Sequence, residues 1–368
     1  MDKDAIISLL KQINYPGYNR DIVSFGIVNE INFSDNTISI KLNLQKDNKD
    51  TDNIKNLIKD LLTKTYPHIK IIFDIHSPAT QNNRADEIKA LNKVKHIVAI
   101  ASGKGGVGKS TTTVNLASSL SKDFKIGILD LDIYGPSLQM ALGCDQKPSM
   151  NSNNMLLPID SYGMKTMSFG FLNDESAPTI WRGPMVSRMT EQFFSQVDWG
   201  ELDILFLDLP PGTGDIQLTL VQKIALSGAI IVTTPQDLAL LDVKKASDMF
   251  GKLNTPIMGV VENMSNFIID GKIYDDKNNL VNGILTIGNK EYSITNGKFE
   301  VELDIFKGKG GLDESNRLNV PLLSRIPLNS ELAQATDLGT PYVLKHKNTH
   351  INECYKNIGN QIIKQLGL

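Results

Sequence analysis

The chain has 368 residues, a formal net charge of −3 at pH 7 and 41% hydrophobic residues. A chain of this length can form two domains that each bury a hydrophobic core. The near balance of charge gives no support for a nucleic-acid partner, which would need a concentrated basic surface. Only two cysteines are present, Cys144 and Cys354. They cannot form a disulfide framework, so they indicate a reducing compartment, and they exclude a cluster site that takes four cysteines from one chain.

The N-terminal residues lack the pattern of a secretion signal. Residues 1–4 are mostly charged, and the apolar run at residues 5–10 is soon broken by Lys11 and Gln12. No apolar stretch approaches the roughly 18–20 residues that a membrane-spanning helix needs. We therefore expect a soluble, cytoplasmic protein that makes no membrane contact.

Residues 1–80 are predicted to form a small α+β domain. Apolar residues at helical spacing and at alternating positions predict two helices and three strands. These elements fall near residues 6–13, 22–33, 37–44, 54–62 and 69–75. The polar residues 81–95 are the predicted interdomain linker.

Residues 96–368 have the pattern of an α/β domain. Continuous apolar runs, typical of strands buried on both faces, occur at residues 97–101, 126–131, 204–209, 229–233 and 257–261. Helical segments separate them, at residues 110–120, 184–197, 216–226 and 238–253. Such an alternation predicts a doubly wound, mostly parallel sheet covered on both faces.

One stretch interrupts this alternation at residues 267–305. Three short β-rich runs occur there, at residues 283–287, 291–294 and 298–303. The dipeptides Gly288-Asn289 and Asn296-Gly297 between them are hairpin turn signals. We therefore predict a β-meander inserted into the α/β domain.

The strongest motif is a glycine-rich loop with the sequence Gly103-Lys104-Gly105-Gly106-Val107-Gly108-Lys109-Ser110-Thr111. It follows a predicted strand and opens a predicted helix, which is the context of a phosphate-binding P-loop. Its glycines let backbone N–H groups approach phosphate oxygens at the positive end of the helix. Lys109 is expected to reach the β- and γ-phosphates, and the Ser110 hydroxyl to bind Mg²⁺.

Carboxylates end two of the predicted strands near this loop. Asp208 follows the strand at residues 204–207, where Mg²⁺ and its waters need a ligand. Asp130 and Asp132 follow the strand at residues 126–131, where a carboxylate can orient the attacking water. For both residues the alternative is an aspartate that caps the next helix.

The loop resembles the P-loop of the family that contains ParA, MinD, the nitrogenase iron protein and the Mrp/ApbC iron–sulfur cluster carriers. Lys104 matches the extra lysine of that family. Four further segments are similar to the Mrp/ApbC branch in particular, at residues 132–137, 181–185, 208–215 and 261–265. Residues 14–16 and 21–23 resemble the small MIP18-like domain that often precedes this ATPase.

The resemblance implies an ATPase that uses Mg²⁺, hydrolyses ATP slowly and works as a homodimer. In it, Lys104 reaches the nucleotide of the partner subunit, and Asp132 is the switch I aspartate. Lys104, Lys109 and Asp132 are then the catalytic residues, and Ser110 and Asp208 the Mg²⁺ site. Asn263 would contact the adenine and Pro327 would flank it. The resemblance also implies a [4Fe–4S] cluster and client or assembly proteins as partners.

The chain departs from this family at the cluster site. Carriers of the Mrp/ApbC type place a Cys-x-x-Cys pair soon after the segment that matches residues 262–265, and thiolates are the usual ligands of such clusters. Here Ile269 and Lys272 stand where those cysteines belong. Cys144 and Cys354 match no ligand motif and are predicted to be packing residues. An alternative function is therefore a nucleotide-gated interaction switch that binds no cluster.

Overall fold

The computed structural model describes residues 3–13, 21–23, 27–34, 37–43, 49–67, 69–76, 89–133, 135–172, 183–212, 217, 221–222 and 224–368. The chain divides into two compact units, Met1–Glu87 and Ile88–Leu368. Residues 89–95, which the sequence pattern assigned to the linker, lie in the second unit, where a strand begins at Val94. No helix in the described part of the chain is long and apolar enough to cross a membrane.

The first unit is an α+β domain. Its described elements are α1 (Lys3–Leu10), β1 (Val28–Ser34), β2 (Thr37–Asn43), α2 (Lys49–Thr65) and β3 (Lys70–His76). Strand β2 pairs antiparallel with β1 and parallel with β3. Ile6 and Ile58 of the helices and Ile38 of the sheet are fully buried in one core. The first strand starts at Val28, six residues later than the sequence pattern predicts.

The second unit is built around one large sheet. Its strands are β4 (Val94–Ala101), β5 (Ile126–Asp130), β6 (Ile159–Ser161), β7 (Met164–Ser168), β8 (Leu202–Asp208), β9 (Gly228–Thr233), β10 (Ile257–Lys272), β11 (Gly283–Ile287), β12 (Lys290–Ile294), β13 (Lys298–Leu303) and β14 (Leu322–Leu328). The sheet has nine strands in the order β13-β10-β9-β4-β8-β5-β7-β6, and β14 also pairs with β10. All neighbours are parallel except β6–β7 and β10–β13.

Helices cover this sheet. Those described are α3 (Lys109–Leu120), α4 (Leu138–Ala141), α5 (Gly183–Ser195), α6 (Asp237–Lys252), α7 (Gly310–Leu318), α8 (Ser330–Asp337), α9 (Tyr342–Lys345) and α10 (His350–Leu366). The helix predicted at residues 216–226 lies largely outside the described residues. The central strands are buried along most of their length, because helices remove both faces from water. The predicted doubly wound α/β fold is confirmed.

The interrupting segment is built differently from the predicted meander. We call residues 267–305 the arm. Strands β11 and β12 form a two-stranded hairpin with the turn at Gly288, which has φ of 60°. Strand β13 instead pairs antiparallel with the second half of β10, from Phe267 opposite Leu303 to Lys272 opposite Lys298. The second half of β10 and strand β13 therefore extend the central sheet, because β10 continues far beyond its predicted end at residue 261, whereas the β11–β12 hairpin is a separate two-stranded sheet.

Candidate nucleotide-binding site

The P-loop connects the end of β4 to the start of α3, at the edge of the sheet where the parallel strands end. Gly106 and Gly108 have φ of 78° and 82°, a region that strains any L side chain. Gly103 is required for a different reason, because a Cβ there would overlap the main-chain carbonyl of Asp242 in α6. The sequence of this loop thus gives a tight turn that leads directly into a helix N-terminus.

A buried cluster of polar groups forms around Asp208, the last residue of β8. Its carboxylate lies 2.7 Å from the Nζ of Lys109, and it accepts hydrogen bonds from the hydroxyls of Ser110 at 2.5 Å and Thr113 at 2.9 Å. Asp208 and Lys109 are 1% and 6% exposed. The residues predicted to hold phosphate and Mg²⁺ are therefore brought together by one carboxylate.

Asp130 lies at the end of β5, opposite Asp208 in the adjacent strand. Its fully buried carboxylate accepts four hydrogen bonds, from the N–H groups of Asp132 at 2.9 Å, Ser137 at 3.2 Å and Leu138 at 3.3 Å and from the hydroxyl of Ser168 at 3.0 Å. Burial and the nearby charge of Asp208 raise the pKa of Asp130 to about 7, whereas Lys109 and the amide donors oppose this shift. Asp130 thus caps the start of α4 and organises the segment that carries Asp132.

A cavity of about 260 Å³ opens in front of these groups. The predicted residues that line it are Lys104, Gly105, Gly106, Gly108, Lys109, Ser110, Thr111 and Asp132, and the others are Ser102, Gly135, Ser137, Ala141, Pro211 and Thr336. Asp132 accepts a hydrogen bond from the N–H of Gly135 at 3.1 Å. The geometry therefore brings the three predicted catalytic residues, Lys104, Lys109 and Asp132, to one cavity.

Four of the predicted nucleotide-binding residues do not line this cavity. Gly103 and Val107 shape the loop from behind, with the Val107 side chain buried in the core. Asn263 is buried in β10 and donates from Nδ2 to the Val107 carbonyl oxygen at 2.8 Å. Pro327 is buried in β14. Adenine contacts by Asn263 and Pro327 stay predictions. Residues 213–215 of the predicted switch II segment lie outside the described residues.

Sequence reasoning missed one side chain of this site, Thr113, and one buried carboxylate of β10, the strand that carries Asn263. Thr113 donates to Asp208 from α3, and its spacing of four residues from Lys109 is the signal that places both on one helix face. Glu262, in β10, is 1% exposed and accepts hydrogen bonds from the N–H of Gly311 at 2.9 Å and from Nε of Arg325 at 2.8 Å. No local pattern signals the Glu262 contacts, because both partners are distant in sequence.

The P-loop at the carboxyl edge of a parallel sheet, with a buried lysine beside two strand-end carboxylates, defines a P-loop NTPase. Comparison with known proteins agrees. The profile of the ParA group described as the NUBPL iron-transfer P-loop NTPase matches residues 93–274 and 276–363. The chain belongs to this family.

Relatives extend the similarity over almost the whole chain. An iron–sulfur cluster carrier protein of Helicobacter pylori is 36% identical over 95% of this chain and 89% of its own length. The mouse iron–sulfur cluster transfer protein NUBPL is 38% identical over 76% of this chain and 80% of its own. A mitochondrial iron–sulfur protein of Arabidopsis thaliana, described as required for NADH dehydrogenase, is 39% identical over 79% of this chain and 84% of its own length.

Solved structures share the fold of the second unit. A nucleotide-binding protein of Archaeoglobus fulgidus in complex with ADP has a TM-score of 0.55 and 32% identity, covering 70% of this chain and 92% of its own. The cell division ATPase MinD of Pyrococcus furiosus has a TM-score of 0.50 and 20% identity, covering 73% of this chain and 99% of its own. The second similarity concerns the fold alone.

The two cysteines of the chain are packing residues, as predicted. Cys144 and Cys354 are 8% and 4% exposed. Burial raises the pKa of the Cys354 thiol and so disfavours the thiolate that binds metal. Ile269 and Lys272, at the positions that the family resemblance assigns to cysteines, lie in the paired part of β10. Three residues apart on a strand, their side chains point to opposite faces.

Proposed function

We propose that this chain is a Mg²⁺-dependent ATPase with slow turnover that acts in the delivery of iron–sulfur clusters. The observation that carries the proposal is the cluster of Lys109, Ser110 and Asp208 beneath a P-loop cavity. In P-loop enzymes these residue types hold the phosphates and the metal ion. The family of the chain supports nucleotide hydrolysis as its general activity.

The residues present fit a magnesium ion. Ser110 and Asp208 supply the hydroxyl and carboxylate oxygens that Mg²⁺ prefers, with Asp208 acting directly or through water. Bound Mg²⁺ neutralises charge on the phosphates of the nucleotide. The chain itself supplies a cation at Lys109 and a carboxylate at Asp132 that can orient a water molecule.

Replacement of the P-loop lysine tests the nucleotide site. We expect Lys109→Ala to abolish ATP binding and turnover, measured by titration with a fluorescent ATP analogue and by phosphate release. Lys122→Ala is the matched control, because Lys122 is exposed just beyond the other end of the same helix. Normal turnover in Lys109→Ala would overturn the assignment.

Cluster delivery is proposed from the relatives, which are named as carriers or transfer proteins of iron–sulfur clusters. The residues of this chain do not fit a cluster held by its own thiolates, since both cysteines are buried and neither lies in the arm. In the described residues, no group of three or more His, Cys, Asp or Glu side chains is placed to hold a metal ion. We therefore propose that thiolates of a client or assembly protein hold the cluster. We further propose that the chain acts as a cytoplasmic homodimer, as the family resemblance implies.

The alternative function, a nucleotide-gated interaction switch that handles no cluster, is not favoured by the relatives, which are named as cluster carriers or transfer proteins. Anaerobic reconstitution with ferrous iron and sulfide, followed by absorbance and by iron and sulfide content, tests the chain alone. We expect no stoichiometric cluster. A stoichiometric cluster that persists in Cys144→Ala and Cys354→Ala would show that other side chains ligate it. Cluster transfer to an apoprotein, accelerated by the chain and ATP, would favour delivery over the switch.

A further inference from the structure

Strand β10 physically connects the P-loop to the arm. Its first half, from Ile257, runs parallel to β9 on one side and β14 on the other. Its second half, from Phe267, forms the antiparallel ladder with β13. A single strand of 16 residues therefore belongs both to the core of the nucleotide-binding unit and to the arm.

A joint divides the two halves of this strand. The register of β10 with β14 shifts once between Val260 and Val261, is regular from Val261 to Asn263, and shifts again before the pairing resumes at Phe267. Within that gap Met264 has φ of 55°, a left-handed conformation in the middle of a strand. An unbranched, non-glycine residue is strained there, so the surrounding contacts must hold it. Such strain is often found where a structure switches between two states.

The contacts that hold this joint come from the P-loop. The preceding residue, Asn263, donates to the Val107 carbonyl oxygen at 2.8 Å. The Cε of Met264 lies 3.9 Å from the place that a Cβ on Gly108 would occupy. Asn263 thus contacts the peptide between Val107 and Gly108, and the end of the Met264 side chain lies near Gly108. On the other side, buried Glu262 ties β10 to the start of α7 and to β14.

We propose that Met264 is a positioning residue that couples nucleotide occupancy of the P-loop to the arm. Backbone groups of the P-loop are the ones that bind phosphates, so a bound nucleotide fixes the peptide that Asn263 contacts and the glycine near the end of Met264. The left-handed joint is then held in one arrangement, and the β10–β13 ladder of the arm is stabilised with it. The inference depends on the proposed nucleotide binding and extends it to the surface of the arm.

Hydrogen exchange of the full chain tests the coupling, with and without Mg²⁺ and a non-hydrolysable ATP analogue. We expect nucleotide to slow exchange by about threefold or more in peptides covering residues 267–272 and 298–303. Met264→Gly removes the left-handed constraint and should bind the analogue with a Kd within about twofold of wild type, yet lose the response of the arm. Met264→Asn should keep it, because asparagine tolerates the left-handed region.

The matched control is Asn296→Gly, which relaxes another left-handed residue, φ 51°, at a turn of the arm itself. It should retain the response. An arm that is unaffected in the wild type while the analogue binds would overturn the coupling, as would a full response in Met264→Gly or none in Met264→Asn. If Met264→Gly fails to fold, the wild type and Met264→Asn decide the question. A wild type that binds no analogue would instead overturn the proposed function.

Discussion

The Nζ of Lys109 lies 2.7 Å from the Oδ1 of Asp208, and the two side chains are only 6% and 1% exposed. Two charges at such a depth are held there by one another and by the hydroxyls of Ser110 and Thr113. The positive charge of Lys109 is thus already balanced by the carboxylate of Asp208 within the protein. The phosphates of a nucleotide must compete with Asp208 for Lys109. A bound Mg²⁺ would then balance part of the negative charge of Asp208 in place of the lysine.

Removal of one partner of this pair should strongly destabilise the protein. Asp208→Ala leaves the buried Lys109 ammonium without its carboxylate, so we expect the free energy of unfolding to fall by about 3–5 kcal/mol. Urea denaturation followed by tryptophan fluorescence measures the change. Glu201→Ala is the control, because its ion pair with Lys125 is fully solvent-exposed and should leave the midpoint unchanged. Equal shifts in both variants would contradict the role given to burial.

The rate of ATP hydrolysis should depend on Asp132 more strongly than the affinity for nucleotide does. Asp132 lines the cavity and is positioned by the segment that Asp130 organises. If its carboxylate orients the attacking water, Asp132→Asn should lower kcat by about 10²-fold and leave nucleotide affinity near that of the wild type. Asp145→Asn, at an exposed position after Cys144, is the control. Unchanged kcat in Asp132→Asn would remove this role.

Lys104 should act across a homodimer. A second cation near the γ-phosphate stabilises the developing charge, so Lys104→Ala should lower turnover by about 10²-fold without abolishing nucleotide binding. Mixing it with Lys109→Ala provides the sharper test. One subunit then retains a nucleotide site and the other retains Lys104, so the mixture should recover activity that neither variant has alone. No recovery in a mixture shown to form heterodimers would rule out action in trans.

The P-loop was predictable because the residues that form it are adjacent in sequence. The motif is short: its glycines lie in one loop, and Lys109 and Ser110 lie in the first turn of the following helix. The flanking strand and helix are recognisable from their sequence patterns. Asp130 and Asp208 are predictable in the same way, because each is a polar residue that ends an apolar run. Parallel pairing then brings them side by side at one edge of the sheet.

The course of β10 could not be predicted in this way. Its apolar run ends at residue 261, because Glu262, Asn263 and Ser265 are polar. These three side chains are nevertheless buried. The first two are satisfied by partners far away in sequence, including Gly311, Arg325 and the Val107 carbonyl. The pairing of β13 with β10 is likewise non-local, so turn signals alone suggested a meander.

The buried carboxyl of Asp130 should make stability depend on pH. Its pKa is raised to about 7 in the folded protein, above the ordinary value of 3.8, mainly by burial and by Asp208. The folded state therefore binds a proton more tightly than the unfolded state does. This contribution to stability is fully present below about pH 4 and is lost as pH rises through about 7, by at most about 1.4 kcal/mol per pH unit.

Asp130→Asn should remove this slope, which urea denaturation at a series of pH values between 4 and 7 measures. Asp203→Asn is the control with the opposite sign, because its hydrogen bond from Lys95 lowers the pKa of Asp203. Its contribution is present above the ordinary pKa and is lost only at lower pH, so the slope in this range should stay as in the wild type. An unchanged slope in Asp130→Asn would show that the four hydrogen bonds keep Asp130 ionised throughout.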